Sequence, residues 1–368
     1  MSRDPVRVRA RMSRGARGPS SVVVLAAVFA MAACGGYAEP SSPARVATTV
    51  TTQPASSVLD ADQSGCSGLG RPPSSPELTW QAGNELRSAN GCILRFATDE
   101  YAPLRPAWSP AGDALLVDVT LTPYVVTASG QQPLPEPSAW TWAGVDGTLL
   151  SRLHDGALTA RLPDGSLAGV LLGGVLHAMT VEADGLHIVG NATIGGVEGI
   201  YRIDVRDGSS TLLHRGGGLD VTGLTAGGDV LLSETDGEQV RLYRLDAATS
   251  RITPITTGSS ASGVSAVPSR YDDTALAWYA AGGCGGPPRA EATLQGRRLP
   301  LHGTPVEHAP PEGWLPDGTL LFLDRGESCD YSPGTLWAFK DGRATEVADG
   351  VLDVAIRPAG TAPSVAGG

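Results

Sequence analysis

Short apolar runs separated by turn-forming residues recur along this chain at a nearly constant distance. The first turn of each unit carries a marker glycine or aspartate, and successive markers lie 35 to 45 residues apart: Gly112, Gly147, Gly185, Gly228, Asp273 and Gly318. Within a unit the runs are strand-length and too short for a stable helix, as at 221–225 and 230–234. A period of about 40 residues with four strands per unit is typical of a β-propeller.

The predicted fold is an all-β propeller of four-stranded blades. Seven blades are favoured, with six as the alternative because the first two spacings are short; the inner strands are expected to begin near Leu104, Ala139, Leu176, Leu219, Gly263, His308 and Leu352. Only a short tail follows the last run, whereas residues 78–98 contain strand-like runs without an inner strand of their own. We therefore expect the N- and C-terminal strands to complete one blade and close the ring, which removes an open sheet edge.

Composition excludes several classes of function. The chain has 48 Gly and 28 Pro among 368 residues, which suits a turn-rich protein and disfavours long helices. Its formal net charge of −11 speaks against nucleic-acid binding, which needs a basic face. Lys340 is the only lysine in the sequence, which argues against a Schiff base or a P-loop.

The N-terminus has the features of a secretory signal. Six arginines precede the apolar run 21–33, which is too short to span a bilayer. The residues Met31-Ala32-Ala33-Cys34 resemble a bacterial lipobox, although Met replaces the usual Leu. The resemblance implies that residues 1–33 are removed and that Cys34 carries a lipid such as palmitate, anchoring the exported protein to the outer face of the cell membrane. Ordinary secretion is the alternative.

The rest of the chain divides by composition. Residues 34–65 are rich in Gly, Ser, Thr, Pro and Ala, so we expect a disordered tether behind the lipidated Cys34. The propeller is expected over 66–360, and residues 361–368 form a flexible tail.

Two turns carry a family resemblance. Trp108-Ser109-Pro110-Ala111-Gly112 and Trp314-Leu315-Pro316-Asp317-Gly318 are similar to the Trp-Ser-Pro-Asp-Gly repeat of TolB-type propellers. Ala replaces Asp in the first copy and Leu replaces Ser in the second. The motif is a structural turn, so the resemblance implies a fold and no activity.

The cysteines provide a test of the blade alignment. With Cys34 assigned to lipid, four cysteines remain and allow three pairings. Cys284 and Cys329 fall in equivalent loops of adjacent blades, which favours the pairs Cys284–Cys329 and Cys66–Cys92 and an oxidising compartment. Zinc is the competing interpretation, but the sequence has no Cys-x-x-Cys spacing.

We find no hydrolase elbow, zinc-protease motif, P-loop or dinucleotide fingerprint. One set of residues falls at, or near, the beginning of the predicted inner strands, and it forms a candidate ligand site at the channel mouth: Arg105, His177, Asp220, Glu307, His308 and Asp353. Imidazole and carboxylate groups suit a divalent cation, but polar residues can also simply line a wet channel. The sequence therefore predicts no obligatory cofactor.

The leading hypothesis is a non-catalytic, membrane-anchored propeller that binds a protein or another ligand of the cell envelope. A metal-dependent hydrolase or lactonase that uses the channel is one alternative. A sensor of envelope glycans or small ligands is the other.

Overall fold

The computed structural model describes residues 57–359 except 71, 101, 120–121, 135–138, 144–146, 153–156, 163–166, 173–174, 183–184, 237–238, 260–263, 281–288 and 327–331. Within this part of the chain the secondary structure consists of strands, bridges, turns and bends, with no helix. No helix that could cross a membrane therefore occurs in the described segments. Cys34, Cys284 and Cys329 lie outside them, so the predictions for these residues stay predictions.

Twenty-seven strands are present in the described residues. In chain order they are β1 (Glu77–Ala82), β2 (Glu85–Ser88), β3 (Gly91–Arg95), β4 (Ala107–Trp108), β5 (Leu115–Val119), β6 (Thr122–Thr127), β7 (Gly130–Pro133), β8 (Ala139–Trp142), β9 (Leu149–Arg152), β10 (Leu158–Arg161), β11 (Leu167–Leu172), β12 (Val175–Val181), β13 (His187–Ile194), β14 (Val197–Asp204), β15 (Ser210–Arg215), β16 (Leu219–Leu224), β17 (Val230–Asp236), β18 (Gln239–Asp246), β19 (Arg251–Ser259), β20 (Val264–Pro268), β21 (Leu276–Ala280), β22 (Arg289–Leu294), β23 (Arg297–Arg298), β24 (Pro311–Trp314), β25 (Leu320–Asp324), β26 (Gly334–Lys340) and β27 (Arg343–Arg357).

These strands form a propeller-like ring of antiparallel meanders. Sheets one to five contain β4–β7, β8–β11, β12–β15, β16–β19 and β20–β23, each in sequence order from the inner to the outer strand. The inner strands β12, β16, β20 and β24 contact one another in turn, and β27 contacts β4, which contacts β8. Sheets two and three meet through a shared core that contains Leu150, Leu158, Leu176 and Ile188. The all-β prediction is confirmed.

The remaining strands form one seven-stranded sheet in the order β24-β25-β26-β27-β1-β2-β3. The two halves of β27 pair with different neighbours: residues 343–351 pair with β26, and residues 351–357 pair with β1. Gly350 has φ +70°, a backbone conformation that glycine adopts without strain, between the two halves. The N- and C-terminal strands thus share one sheet, as the sequence predicts.

Residues 57–70 form a strap across the outer edge of the ring. Cys66 forms a disulfide with Cys92 of β3, which confirms this pairing. At the start of the strap, the side-chain oxygen of Gln131 in β7 accepts hydrogen bonds from the backbone N–H groups of Val58 and Leu59, both at 2.9 Å. The sequence placed residues 57–65 in a disordered tether, but these backbone contacts make them part of the folded body.

Tryptophans on the inner strands connect neighbouring sheets. The indole N–H of Trp142 donates to the carbonyl of Ala107 at 2.8 Å, and that of Trp314 donates to the carbonyl of Val267 at 2.9 Å. Trp108 donates to the hydroxyl of Thr79 at 2.9 Å. Each ring is also buried in the core between two sheets. A buried indole usually finds a partner for its N–H, which accounts for these hydrogen bonds. These tryptophans thus join neighbouring sheets both by packing and by hydrogen bonds.

Candidate functional site

The inner strands begin at one end of the ring, which we call the channel mouth and define by Arg105, Asp220, Glu312 and Asp353. Because the strands in each sheet run antiparallel, each second strand also ends there. The channel mouth therefore collects side chains from the start of every inner strand and the end of every second strand.

A β-bulge recurs near the start of three inner strands. In β24, Pro311 pairs with Phe322 and Gly313 pairs with Leu321, so Glu312 is an extra residue opposite β25. The register of β12 and β16 shifts in the same way, and the three extra residues are His177, Thr222 and Glu312. Bulges re-aim side chains and are common beside functional sites. Thr222 and Glu312 each lie two residues before the end of their strand and so share one repeat position, whereas His177 lies four residues before the end of β12.

The carboxyl group of Glu312, at the channel mouth, has a strongly shifted pKa. The protein atoms around the carboxyl remove part of its hydration and raise its pKa to about 7, with Asp353 raising it further and Arg325 opposing the rise. The residue is exposed to solvent, so the surrounding protein acts on a carboxyl that a ligand can still reach. This carboxyl can therefore donate or accept a proton near neutral pH.

Arg325 and Asp353 both belong to the part of the chain that forms the seven-stranded sheet. Arg325 directly follows β25, and its Nη2 donates to the carbonyl of Leu352 at 2.8 Å. Asp353 is half-buried in β27 and pairs in register with Gln81. One cation and two carboxyl groups thus share an electrostatic environment, which is a suitable arrangement for a polar or cationic ligand.

A second carboxyl group with a raised pKa lies on sheet one. Burial raises the pKa of Asp118 at the end of β5, and Arg105 opposes the rise. The guanidinium Nη1 of Arg105 lies 3.7 Å from Asp118 Oδ2. Arg105 has φ +45°, an unusual conformation for a residue with a side chain, and it projects an exposed guanidinium from the channel mouth.

The structure places the six predicted ligand residues in three settings. Arg105 precedes β4 by two residues, Asp220 is exposed in β16, and Asp353 lies in the half of β27 that pairs with β1. The backbone of His177 occupies the bulge of β12, and its side chain is outside the described set. His308 is exposed and precedes β24 by three residues.

Glu307 lies elsewhere. Its backbone carbonyl accepts the N–H of Ala290 on β22 at 2.9 Å, and its carboxylate bonds His302 at 2.5 Å and the N–H of Gly303 at 2.7 Å. These contacts hold it at the outer edge of sheet five. Glu307 therefore interacts with its chain neighbour His308 but lies outside the inner strand, which begins at Pro311.

Sequence reasoning missed Glu312. The strand start was placed at His308, three residues before β24 begins. Glu312 precedes Trp314 by two residues, as Pro106 precedes Trp108. Counting back from the tryptophan turn would have found it.

No three described His, Cys, Asp or Glu side chains are close enough together to hold a metal ion.

Comparison with known proteins gives a fold resemblance of low similarity. No protein-family model matches the chain, and no curated protein matches it. Among solved structures, TolB from Acinetobacter baumannii is 17% identical with a TM-score of 0.44, covering 82% of this chain and 68% of that one. An oligogalacturonate lyase in complex with manganese is 13% identical, with a TM-score of 0.46, covering 76% of this chain and 86% of that one. A streptogramin B lyase is 15% identical, with a TM-score of 0.44, covering 68% and 91%. These values are too low to assign a family or an activity.

Proposed function

We propose that this chain is an exported seven-bladed β-propeller, anchored to the cell membrane through Cys34, which binds a partner of the cell envelope at its channel mouth without catalysing a reaction. The observation that carries the proposal is the group formed by Glu312, Arg325 and Asp353, which offers a ligand both signs of charge at one end of the ring.

Export is supported by the signal-like N-terminus and by the Cys66–Cys92 disulfide. Structural disulfides persist in oxidising compartments and are rare in the cytosol.

The count of seven blades is supported by the two halves of β27 and by the buried cores. Seven apolar clusters occur among the described residues, and each lies between two successive groups of strands. One of them lies within the seven-stranded sheet, where Leu323 and Leu336 pack with Trp80 and Val351. A sheet that packs on itself in this way is expected if it consists of two blades joined through β27.

Photocrosslinking in cells tests the binding role. A photoreactive amino acid placed at exposed Arg105 should give a discrete crosslinked product in membranes. The same residue placed at exposed Asp341, in the β26–β27 turn at the opposite end of the strands, is the matched control and should not. The Cys34→Ser variant should lose the Arg105 product because the protein leaves the membrane. The same products from both positions, or none from Arg105, would contradict the proposal.

The raised pKa of Glu312 favours a second candidate, a hydrolase that uses this carboxyl for proton transfer. A simple lactone such as δ-valerolactone, assayed with and without Mn²⁺, tests it. Activity that is lost in Glu312→Gln and kept in Glu346→Gln, a change at an exposed residue of β27, would support the hydrolase over the binding module.

A further inference from the structure

Sheet five has a much shorter outer strand than its neighbours. β23 contains only two residues, Arg297–Arg298, whereas the strand it pairs with, β22, contains six. The outer edge of β22 is therefore mostly uncovered by β23. The other four-stranded sheets have outer strands of four to nine residues.

The chain after β23 leaves this edge and returns to it. The N–H of Leu299 donates to the carbonyl of Ala292 at 2.8 Å, and the N–H of Ala290 donates to the carbonyl of Glu307 at 2.9 Å. The segment between Leu299 and Glu307 thus spans only two residues of β22, so it must bow outwards. It borders a half-open cavity of about 410 Å³ against the strand edge, which we call the edge pocket.

The loop that forms the wall is held by its own hydrogen bonds. Glu307 bonds both His302 and the N–H of Gly303, and the hydroxyl of Thr304 donates to the carbonyl of Leu301 at 2.6 Å. These contacts also lower the pKa of Glu307, the Gly303 N–H being the largest cause and His302 the next. The pocket is therefore formed before any ligand binds, which reduces the entropic cost of binding.

The lining of the edge pocket combines apolar groups with side chains of both charges, two arginines and two glutamates. Leu299, Pro300 and Leu301 supply the apolar surface. Arg298 pairs with Glu291, and the second carboxylate of the lining, Glu307, is hydrogen-bonded to His302. Arg289 is exposed and makes no ion pair within the described part of the chain.

We propose that the edge pocket binds a small organic anion, with a carboxylate or phosphate group at Arg289 and an apolar body against Leu299, Pro300 and Leu301. Guanidinium groups pair with carboxylate and phosphate through two parallel hydrogen bonds. A cavity of this size falls in the range of small-molecule sites, about 300–1,000 Å³. The exposed guanidinium of Arg289 is the group in this lining that favours an anion over a neutral ligand.

Glu291 is a neighbour of both Arg289 and Arg298. It shares one face of β22 with Arg289, two residues away, and its carboxylate engages Arg298. A bound anion would therefore compete with Glu291 for Arg298. Removing this carboxylate should release a second guanidinium for the ligand.

Calorimetric titration of the purified full-length chain tests the proposal. The probes are benzoate and phenylphosphate, with neutral benzyl alcohol as the charge control. We expect saturable binding of at least one anion, with a dissociation constant of about 1 mM or lower, and no binding of benzyl alcohol. Binding of benzoate alone or phenylphosphate alone would distinguish a carboxylate ligand from a phosphate ligand.

The variants make the test specific to this pocket. Arg289→Gln should weaken binding by about tenfold, whereas Glu291→Gln should tighten it. Arg297→Gln is the matched control, because Arg297 is an exposed arginine of β23 outside the pocket lining, and it should leave the affinity unchanged. No saturable anion binding, equal loss in Arg289→Gln and Arg297→Gln, or weaker binding in Glu291→Gln would overturn the proposal. Because Glu291→Gln is expected to gain affinity, misfolding cannot mimic the expected result.

Discussion

The guanidinium group of Arg357 lies over the indole ring of Trp108, with its Cζ atom 4.5 Å from the ring centroid. Arg357 ends β27 and Trp108 ends β4, so this contact joins the last strand of the chain to sheet one. The indole N–H of Trp108 reaches Thr79 of β1, whose hydroxyl donates to the carbonyl of Ala355 at 2.9 Å. The closure of the ring thus depends on one small group of side chains from both ends of the body.

Replacing Arg357 with Gln should destabilise the ring. The variant loses the stacking on Trp108 and the hydrogen bond from Nε to the carbonyl of Gly112 at 2.8 Å. We expect the free energy of unfolding to fall by about 2 kcal/mol in urea denaturation. Arg343→Gln, at an exposed arginine of the same strand, is the control and should change it by less than about 0.5 kcal/mol. Equal effects of the two changes would show that Arg357 has no special role in closure.

Removing the Cys66–Cys92 disulfide should loosen the strap. The bond closes a loop with a sequence separation of 26 residues, and such a loop is worth about 3 kcal/mol on the chain-entropy model. The double variant Cys66→Ser, Cys92→Ser should therefore melt at a lower temperature than the wild type. A reductant should lower the melting temperature of the wild type towards that of the variant, because it breaks the bond that the variant lacks. A variant that melts with the oxidised wild type would contradict the prediction.

The repeat could be predicted from sequence because its turns carry local signals. The Asp-Gly and Gly-Gly pairs supply positive φ, as at Gly228 and Gly318, and the leucines at strand starts, such as Leu104 and Leu352, are fully buried. The Cys66–Cys92 pair followed from aligning these repeats. Local sequence signals were therefore enough to predict the repeat and the Cys66–Cys92 disulfide.

The features that the sequence did not reveal depend on contacts between distant residues. Gln131 anchors a strap more than 70 residues away, and nothing near either residue indicates the pairing. The bulge at Glu312 depends on the register of β24 against β25, which a count of strand starts does not determine. Because the predicted start of this strand was a few residues too early, Glu307 was chosen as the candidate residue, and it lines the edge pocket instead.

Gln81 should be one of the most sensitive polar residues of the body. Its buried amide accepts the N–H of Leu104 at 2.9 Å and donates to the carbonyl of Ala102 at 2.7 Å, linking β1 to the segment before sheet one. Gln81→Met keeps the length of the side chain but leaves these backbone groups without their partner, which should cost about 3 kcal/mol. Gln132→Met, at an exposed position of β7, is the control and should have a small effect. Urea denaturation of both variants measures the two effects. Coinciding unfolding midpoints would contradict the prediction.

The acidity of Glu312 predicts a pH dependence of stability. Its pKa is about 7 in the folded protein against 4.5 for an ordinary glutamate, so between these values the folded state holds a proton that the unfolded state has lost. The free energy of unfolding should therefore fall as the pH rises from about 4.5 to 7 and level off above that range. Because the side chain is exposed to solvent, we expect the Glu312 contribution to be about 1 kcal/mol rather than the full value of the shift. Glu312→Gln should remove this contribution and Asp341→Asn should keep it, measured as melting temperatures at pH 5 and pH 8. If the melting temperature of Glu312→Gln differed between pH 5 and pH 8 as much as that of the wild type, the raised pKa would have to belong to another group.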